Sequence, residues 1–413
     1  MKQIKKKIII VGGGITGCVS ALYAAQKNFD VSLIEKGKFL GGILRDAEFG
    51  NKIFFNACQY FNTYENWYKN LIKNNFKIKT FLHLKGTYSD FFKNNYFLDD
   101  IAGPFLKKKI SFNLSKKKSL KKQSLFERFS CYPQEVKNEL LKWLNNFNIE
   151  PKRLSWDSGT GLAINRIFPR FNIQHFKKIK KRSKFWDELL GLKRTEMDFN
   201  DIEAALPEKG FNFFFDEFYK ILKNNNVNIF LSTAAVPIWN NNELSIKFNN
   251  NIVFPEKVIW TGNPTGLIKK SGFPFLDSLH ISAKHFFYEF EGELKNNIYT
   301  QIYSLKSNVF RIFFYKLKKK NKISIETLSD KISSLEVKKV LNNIIKKMKL
   351  KIKLKKYEYI QLQKKYIFIS NRDNKIIKTF ITKTKESNLI HGNWLNYGRD
   401  KKVNHVLNEI DKI

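Results

Sequence analysis

The chain has 413 residues, 43% hydrophobic and 15% aromatic, with a formal charge of +38. Such a composition excludes wholesale disorder and allows two or three domains. No apolar run approaches the ~20 residues needed to span a bilayer.

Taken in order, the N-terminus mimics a signal peptide, with Lys2, Lys5, Lys6 and Lys7 before an apolar stretch. That stretch breaks at Gly12 without a small-residue cleavage site, so it reads as a strand. Ile8–Val11, the turn Gly12-Gly13-Gly14-Ile15-Thr16-Gly17, a helix rich in small residues and a second strand ending at Glu35 make one βαβ unit. Gly12 suits a tight turn, Gly14 a close backbone approach to a pyrophosphate, and Gly17 close helix–strand packing. Ile15 and Thr16 open the helix, whose free N–H groups would face the phosphates. Glu35, with Lys36 after it, lies where a carboxylate accepts hydrogen bonds from ribose hydroxyls. These features together predict a dinucleotide site. Beyond Glu35, the paired Gly41 and Gly42 precede Arg45, and Ile53–Phe61 reads as a buried strand entering a turn.

The stretch from about 66 to 150 reads as an insertion, with a helical stripe at Val136, Leu140, Leu144 and Phe147. Arg166 and Arg170 bracket a short Ile-Phe-Pro turn and offer planar forks for phosphate oxygens; the alternative is two surface arginines. Phe211, Phe214, Phe215, Phe218 and Leu222 fall at helical spacing and predict a helix burying one face. The segment Val227–Leu231 reads as a strand leading to Val236, and 244–248 with 252–254 as a hairpin. Lys257–Trp260 reads as a buried strand ending at Gly262. Strands are expected over 298–305 and 309–315, placing Tyr303, Arg311 and Tyr315 as candidate pocket residues, with core packing the alternative for the tyrosines. The chain closes with Leu389–His391, the turn Gly392-Asn393 and a terminal helix carrying Val403, in which Asp400 is a candidate N-cap.

Cys18, Cys58 and Cys131 stand far apart and the six histidines form no cluster. A cytoplasmic protein without a metal is therefore expected. The lysines are spread over many segments, so the charge reads as compositional bias and no nucleic-acid partner is expected. Two denser runs, 107–118 and 177–184, leave peripheral contact with an anionic membrane open.

The GxGxxG fingerprint, Glu35 and Leu40-Gly41-Gly42-x-x-Arg45 together resemble flavoproteins of the amine oxidase and protoporphyrinogen oxidase superfamily, with partial resemblance to UDP-galactopyranose mutase. The resemblance implies FAD as cofactor, held by Gly12, Gly14, Ile15, Thr16, Gly17, Glu35, Lys36, Gly41, Gly42 and Arg45. It adds Val236 through its backbone to adenine, Gly262 near the pyrophosphate, and Gly392, Asn393 and Val403 at the flavin end. Arg166, Arg170, Tyr303 and Arg311 are the implied substrate contacts; no catalytic acid or base stands out. The implied fold is α/β, a Rossmann-type FAD domain from 1–65, 205–270 and 383–413. A mixed substrate domain with an antiparallel sheet and helices would come from 66–204 and 271–382. The implied function is an FAD-dependent oxidoreductase acting on a small molecule, a nucleotide sugar or cell-surface glycan precursor. The alternatives are a mutase-like flavin-dependent isomerase and a non-catalytic basic nucleotide-binding protein.

Overall fold

A computed structural model describes residues 5–57, 59–82, 84–91, 124–164, 178, 180–189, 203–240 and 242–413. Its organising element is a parallel sheet built from distant parts of the chain. Strand β1 (Lys7–Val11) lies centrally, flanked by β2 (Asp30–Ile34) and the strand Lys257–Trp260. Asn228–Phe230 and Leu389–His391 complete the two edges. Helix α1 (Ile15–Gln26) joins β1 to β2, the βαβ unit expected from the glycine turn.

Alternation along β1 decides the layers, because successive side chains point to opposite faces of a sheet. Ile8 and Ile10 share a core with α1, the Phe211–Asn224 helix and the final helix, Arg399–Ile410. Ile9 and Val11 face the other way, onto Leu244, Ile246 and Phe248 of a three-stranded antiparallel sheet. Phe211, Phe214, Phe215, Phe218 and Leu222 are all buried in the first core. At roughly 1.5–3 kcal/mol for each fully buried large apolar side chain, this stripe is the main reason the helix is held there.

The second domain is mixed, centred on a six-stranded sheet. From one edge to the other its strands are Ile352–Phe368, Leu279–Gly292, Lys320–Thr327, Val309–Leu317, Ile298–Tyr303 and Leu84–Ser89. All neighbours are antiparallel except the last two, which run parallel. Helix Ser334–Lys347 covers one face. The other face meets the helices around 125–145 and, through Phe313 and Tyr315, the first core. Tyr315 is therefore a core residue. Its hydroxyl accepts the Phe55 N–H at 2.9 Å, while Ser324 donates to the Phe55 carbonyl at 2.6 Å.

Two elements depart from the sequence expectation. Val236–Asn240 is a strand, pairing with Glu243–Phe248 and enlarging the predicted hairpin to three strands. Ile352–Phe368, expected as no particular element, is a 17-residue edge strand. Its many lysines dilute the apolar alternation that marks a strand, and lysine is common on edge strands.

Candidate functional site

The crevice starts where β1 ends. The Gly12 N–H donates to the Ile34 carbonyl at 2.9 Å, closing the turn against β2. A Cβ on Gly17 would lie 1.8 Å from the Gly12 carbonyl oxygen, so only glycine lets α1 begin this close to the strand. Gly14 is different. Its φ of −69° and ψ of 177° suit any residue, yet an added Cβ would meet no atom within 4 Å. Space has been left beside that backbone, and Gly41 and Gly42 wall it from the opposite side, with the Gly41 N–H donating to Gly13 at 2.8 Å.

These glycines, with Ile15, Thr16, Glu35 and Gly262, line a cavity of about 780 Å³. The first backbone N–H groups of α1 have no partner within the helix, and the positive end of its dipole faces the same space. Both Glu35 carboxylate oxygens accept backbone N–H groups, from Gly13 at 2.5 Å and Gly37 at 2.6 Å. These two bonds hold the acid at the crevice and leave further lone pairs for a ribose. A glycine-walled space, a helix N-terminus and an oriented acid fit the diphosphate and ribose of an adenine dinucleotide.

Other predicted residues are placed elsewhere. Lys36 is exposed and is not part of the wall. Arg45 turns aside, donating to the Leu40 carbonyl at 3.1 Å and pairing with Asp216 at 3.6 Å. Val236, itself exposed, opens a strand beyond the cavity lining. A Cβ on Gly392 would meet the Trp260 carbonyl at 2.7 Å, and the Asn393 amide donates to the Lys401 carbonyl at 3.2 Å. That turn braces the last helix instead of lining the crevice. Val403 is fully buried against α1. Tyr303 is also buried, donating to the Ala163 carbonyl at 2.6 Å; Tyr299 of the same strand reaches the cavity instead. They stand four positions apart, roughly 13 Å along a strand. Asp400 is not an N-cap: Gly398 takes that place. The Asp400 carboxylate accepts from the Asn62 amide at 2.7 Å and the Trp67 indole at 3.1 Å. Arg166 and Arg170 lie outside the described residues.

A second cavity of about 480 Å³ continues from the first. Ile43, Gln59, Thr160, Thr261, Gly262, Asn263, Arg311, Tyr397 and Lys402 line both, so they mark a junction. Among the described residues, Arg311 is the predicted substrate residue that reaches it. Its Nε donates to Gln301 at 3.2 Å and its Nη1 faces Glu326 at 3.7 Å. The Tyr397 hydroxyl accepts the Ile369 N–H at 2.9 Å and lies 3.1 Å from the Ser158 hydroxyl. Burial pushes it up to about 12, so it stays protonated.

The sequence reading missed Gln59, Thr160, Asn263, Arg399 and Lys402. A signal existed for the two cations. Arg399 and Lys402 stand in the first turn of the final helix, where basic side chains oppose the helix dipole. Burial lowers the pKa of each. The Arg399 Nη1 is buried without a hydrogen-bond partner, while its Nη2 donates weakly to Gln59 at 3.4 Å. Among the described residues lining the second cavity, the charged or titratable groups are Arg311, Lys402, His280 and Tyr397, and none is a carboxylate.

Residues 10–74 match the family described as an NAD(P)-binding Rossmann-like domain. A 4,4'-diaponeurosporene oxygenase of Staphylococcus haemolyticus (strain JCSC1435) is 48% identical over 44 residues, 11% of this chain and 9% of that protein. The chain thus matches under a tenth of that relative's length. Similar solved structures span nearly the whole fold. Reduced UDP-galactopyranose mutase superposes with a TM-score of 0.70 at 12% identity, covering 99% of this chain and 94% of that one. A protein from Exiguobacterium sp. 255-15 assigned as a protoporphyrinogen oxidase gives 0.62 at 12% identity, covering 99% of each chain. Putrescine oxidase bound to putrescine gives 0.61 at 10% identity, again with 99% of each chain covered.

Proposed function

We propose, from a chain that has the fold of the FAD-binding amine oxidase and protoporphyrinogen oxidase-like superfamily, a flavoenzyme whose substrate is anionic, of the nucleotide-diphosphate sugar class. The glycine wall of Gly12, Gly14, Gly41 and Gly42, the N-terminus of α1 and Glu35 would hold the adenosine diphosphate half of FAD. When bound, its flavin ring would supply N5 as the centre for electron-pair chemistry. The protein's own part is to bind that substrate, orient it and keep water away from the junction.

One observation carries the choice of substrate. The second cavity presents Arg311 and Lys402 and no carboxylate among its described lining residues. A cationic amine would meet like charge there, whereas a diphosphate would meet two partly buried cations, Lys402 and the Arg311 that faces Glu326. Gln301 and Glu326 hold the Arg311 guanidinium in place at the junction. This charge distribution favours mutase-like isomerisation of a nucleotide sugar. Oxidation of an uncharged or anionic substrate on the same flavin is the second reading, supported by the shared fold alone.

The full chain, saturated with FAD, tests both. UDP and UDP-galactopyranose should perturb the flavin spectrum, and putrescine should not. With dithionite-reduced protein, formation of the furanose isomer supports the mutase-like reading. Flavin reduction by putrescine would overturn the anionic assignment. Arg311→Lys keeps a charge facing Glu326 but loses the planar fork. It should weaken UDP by about 1.5–3 kcal/mol, roughly ten- to a hundredfold.

A further inference from the structure

The strand Ile352–Phe368 forms one edge of the six-stranded sheet, and its 17 residues pair along one side with Leu279–Gly292. On the other side, about every second residue presents a backbone N–H and C=O that no described strand takes up. Exposed edges are normally kept short or polar. This one is neither. Four of the twelve large apolar side chains exposed among the described residues lie on it: Tyr357, Ile360, Leu362 and Ile367. Ile367 lines the second cavity, whereas the other three line neither cavity. They also point in two directions. Tyr359 packs on Phe49 and Phe54 and, with Tyr357, flanks the Lys52 ammonium at 5.0 and 5.5 Å, so the two tyrosines share a face. Alternation turns Ile360 and Leu362 to the opposite face, that of the Ser334–Lys347 helix, where Glu358 pairs with Lys338 at 3.9 Å.

A flat lipid surface would meet one of these faces. An added strand engages both and also satisfies the open backbone edge. Charge then selects the partner. Lys351, Lys353, Lys355 and Lys356 are exposed at the start of the strand. Lys355 faces Glu291 at 3.8 Å; Lys351, Lys353 and Lys356 form no ion pair among the described residues. A second copy of this chain would bring the same lysines and a like charge of +38. A strand bearing carboxylates meets opposite charge. We propose that the edge over residues 351–362 docks an extended acidic segment of a partner protein, added antiparallel as a further strand. Apolar residues of that segment face Tyr357, Ile360 and Leu362, and its carboxylates face Lys353 and Lys356. The assignment is independent of the cofactor.

The full chain is titrated with a labelled synthetic peptide of about twelve residues, the length of that edge. Val and Thr alternate in its first half, Glu and Thr in its second. The peptide should raise fluorescence anisotropy, slow amide exchange across residues 352–362, and bind more weakly as salt rises. Two further peptides carry N-methyl groups on alternate backbone nitrogens, one in each register. Strand addition requires one register to lose binding and the other to keep it, because only one set of N–H groups faces the edge. On the chain, Lys353→Glu with Lys356→Glu should weaken the peptide about fivefold or more, and Ile360→Thr with Leu362→Thr should weaken it as well. Urea midpoints check that each variant folds, and the methylated peptides need no variant. Absence of binding to wild type, or equal binding in both methylated registers, overturns the proposal. So does wild type that leaves the peptide free but is retained on phosphatidylserine vesicles, or self-associates, through Ile360 and Leu362. The occupant would then be lipid or a second copy.

Discussion

At the scale of single residues, Gly14 and Gly17 separate what the fold needs from what a ligand needs. A methyl at Gly17 would stand 1.8 Å from a carbonyl oxygen of the turn. Alanine's intrinsic helix advantage of about 1 kcal/mol cannot offset such overlap, since overpacking costs about 1–3 kcal/mol or more. Gly17→Ala should therefore lower the denaturant midpoint and weaken FAD together. A methyl at Gly14 meets nothing, and the loss of a glycine N-cap costs no more than about 1 kcal/mol. Gly14→Ala should leave the unfolding curve nearly in place while weakening FAD at least about tenfold. Equal FAD affinity in Gly14→Ala and wild type, by fluorescence titration, would mean that the open space serves no ligand.

At the scale of elements, the Phe211–Asn224 helix takes its cap from outside. Its N-cap, Gly210, offers no side chain, and the Asp46 carboxylate accepts the Asn212 N–H at 2.9 Å instead. A Cβ at Gly210 would stand 2.5 Å from that carboxylate. Burial pushes Asp46 up to about 7, partly opposed by the backbone N–H groups of Asn212 and Phe211. Between its ordinary value of 3.8 and about 7, the folded chain keeps a proton that the unfolded chain has released. Stability from this group rises as pH falls. His391 works in the opposite sense. Burial, then His405 stacked on it at 4.4 Å, pulls His391 down to about 4 from 6.5. The unfolded chain then takes the proton first, and stability falls with pH across that window. Relative to wild type, Asp46→Asn should lose stability on going from pH 6.5 to 4.5, and His391→Gln should gain it. Urea midpoints that move in parallel for all three proteins would show that neither group titrates as described. The phenylalanine stripe of the capped helix was legible in the sequence because 3.6-residue spacing reports one buried face. Its cap was not, because Asp46 is separated from it by 166 positions.

At the scale of the whole molecule, the βαβ unit, the aromatic helix and the terminal strand and helix were legible from spacing and glycine chemistry. Part of the site was not. Gly12, Gly14, Gly41 and Gly262 reach the cavity because backbone shape is written locally. Lys402 and Gln59 reach it only through the packing of distant elements, and Arg45 and Tyr303 are withdrawn by it. The net charge was read as compositional bias, since its lysines are dispersed, yet dispersed charge still sets a long-range field. A chain of +38 should steer an anionic ligand toward a cleft that adds Arg311 and Lys402 at its junction. That field acts through solvent and is screened, with a Debye length of about 30 Å at 0.01 M salt and about 3 Å at 1 M. The association rate of UDP with the FAD-loaded chain should therefore fall roughly tenfold or more across that range. Its dissociation rate should change far less, because contacts inside the junction are sheltered from ions. Uridine, which carries no phosphate, should associate at a rate indifferent to salt. Stopped-flow traces showing the same salt dependence for UDP and uridine would detach the global charge from substrate capture and return the lysines to bias alone.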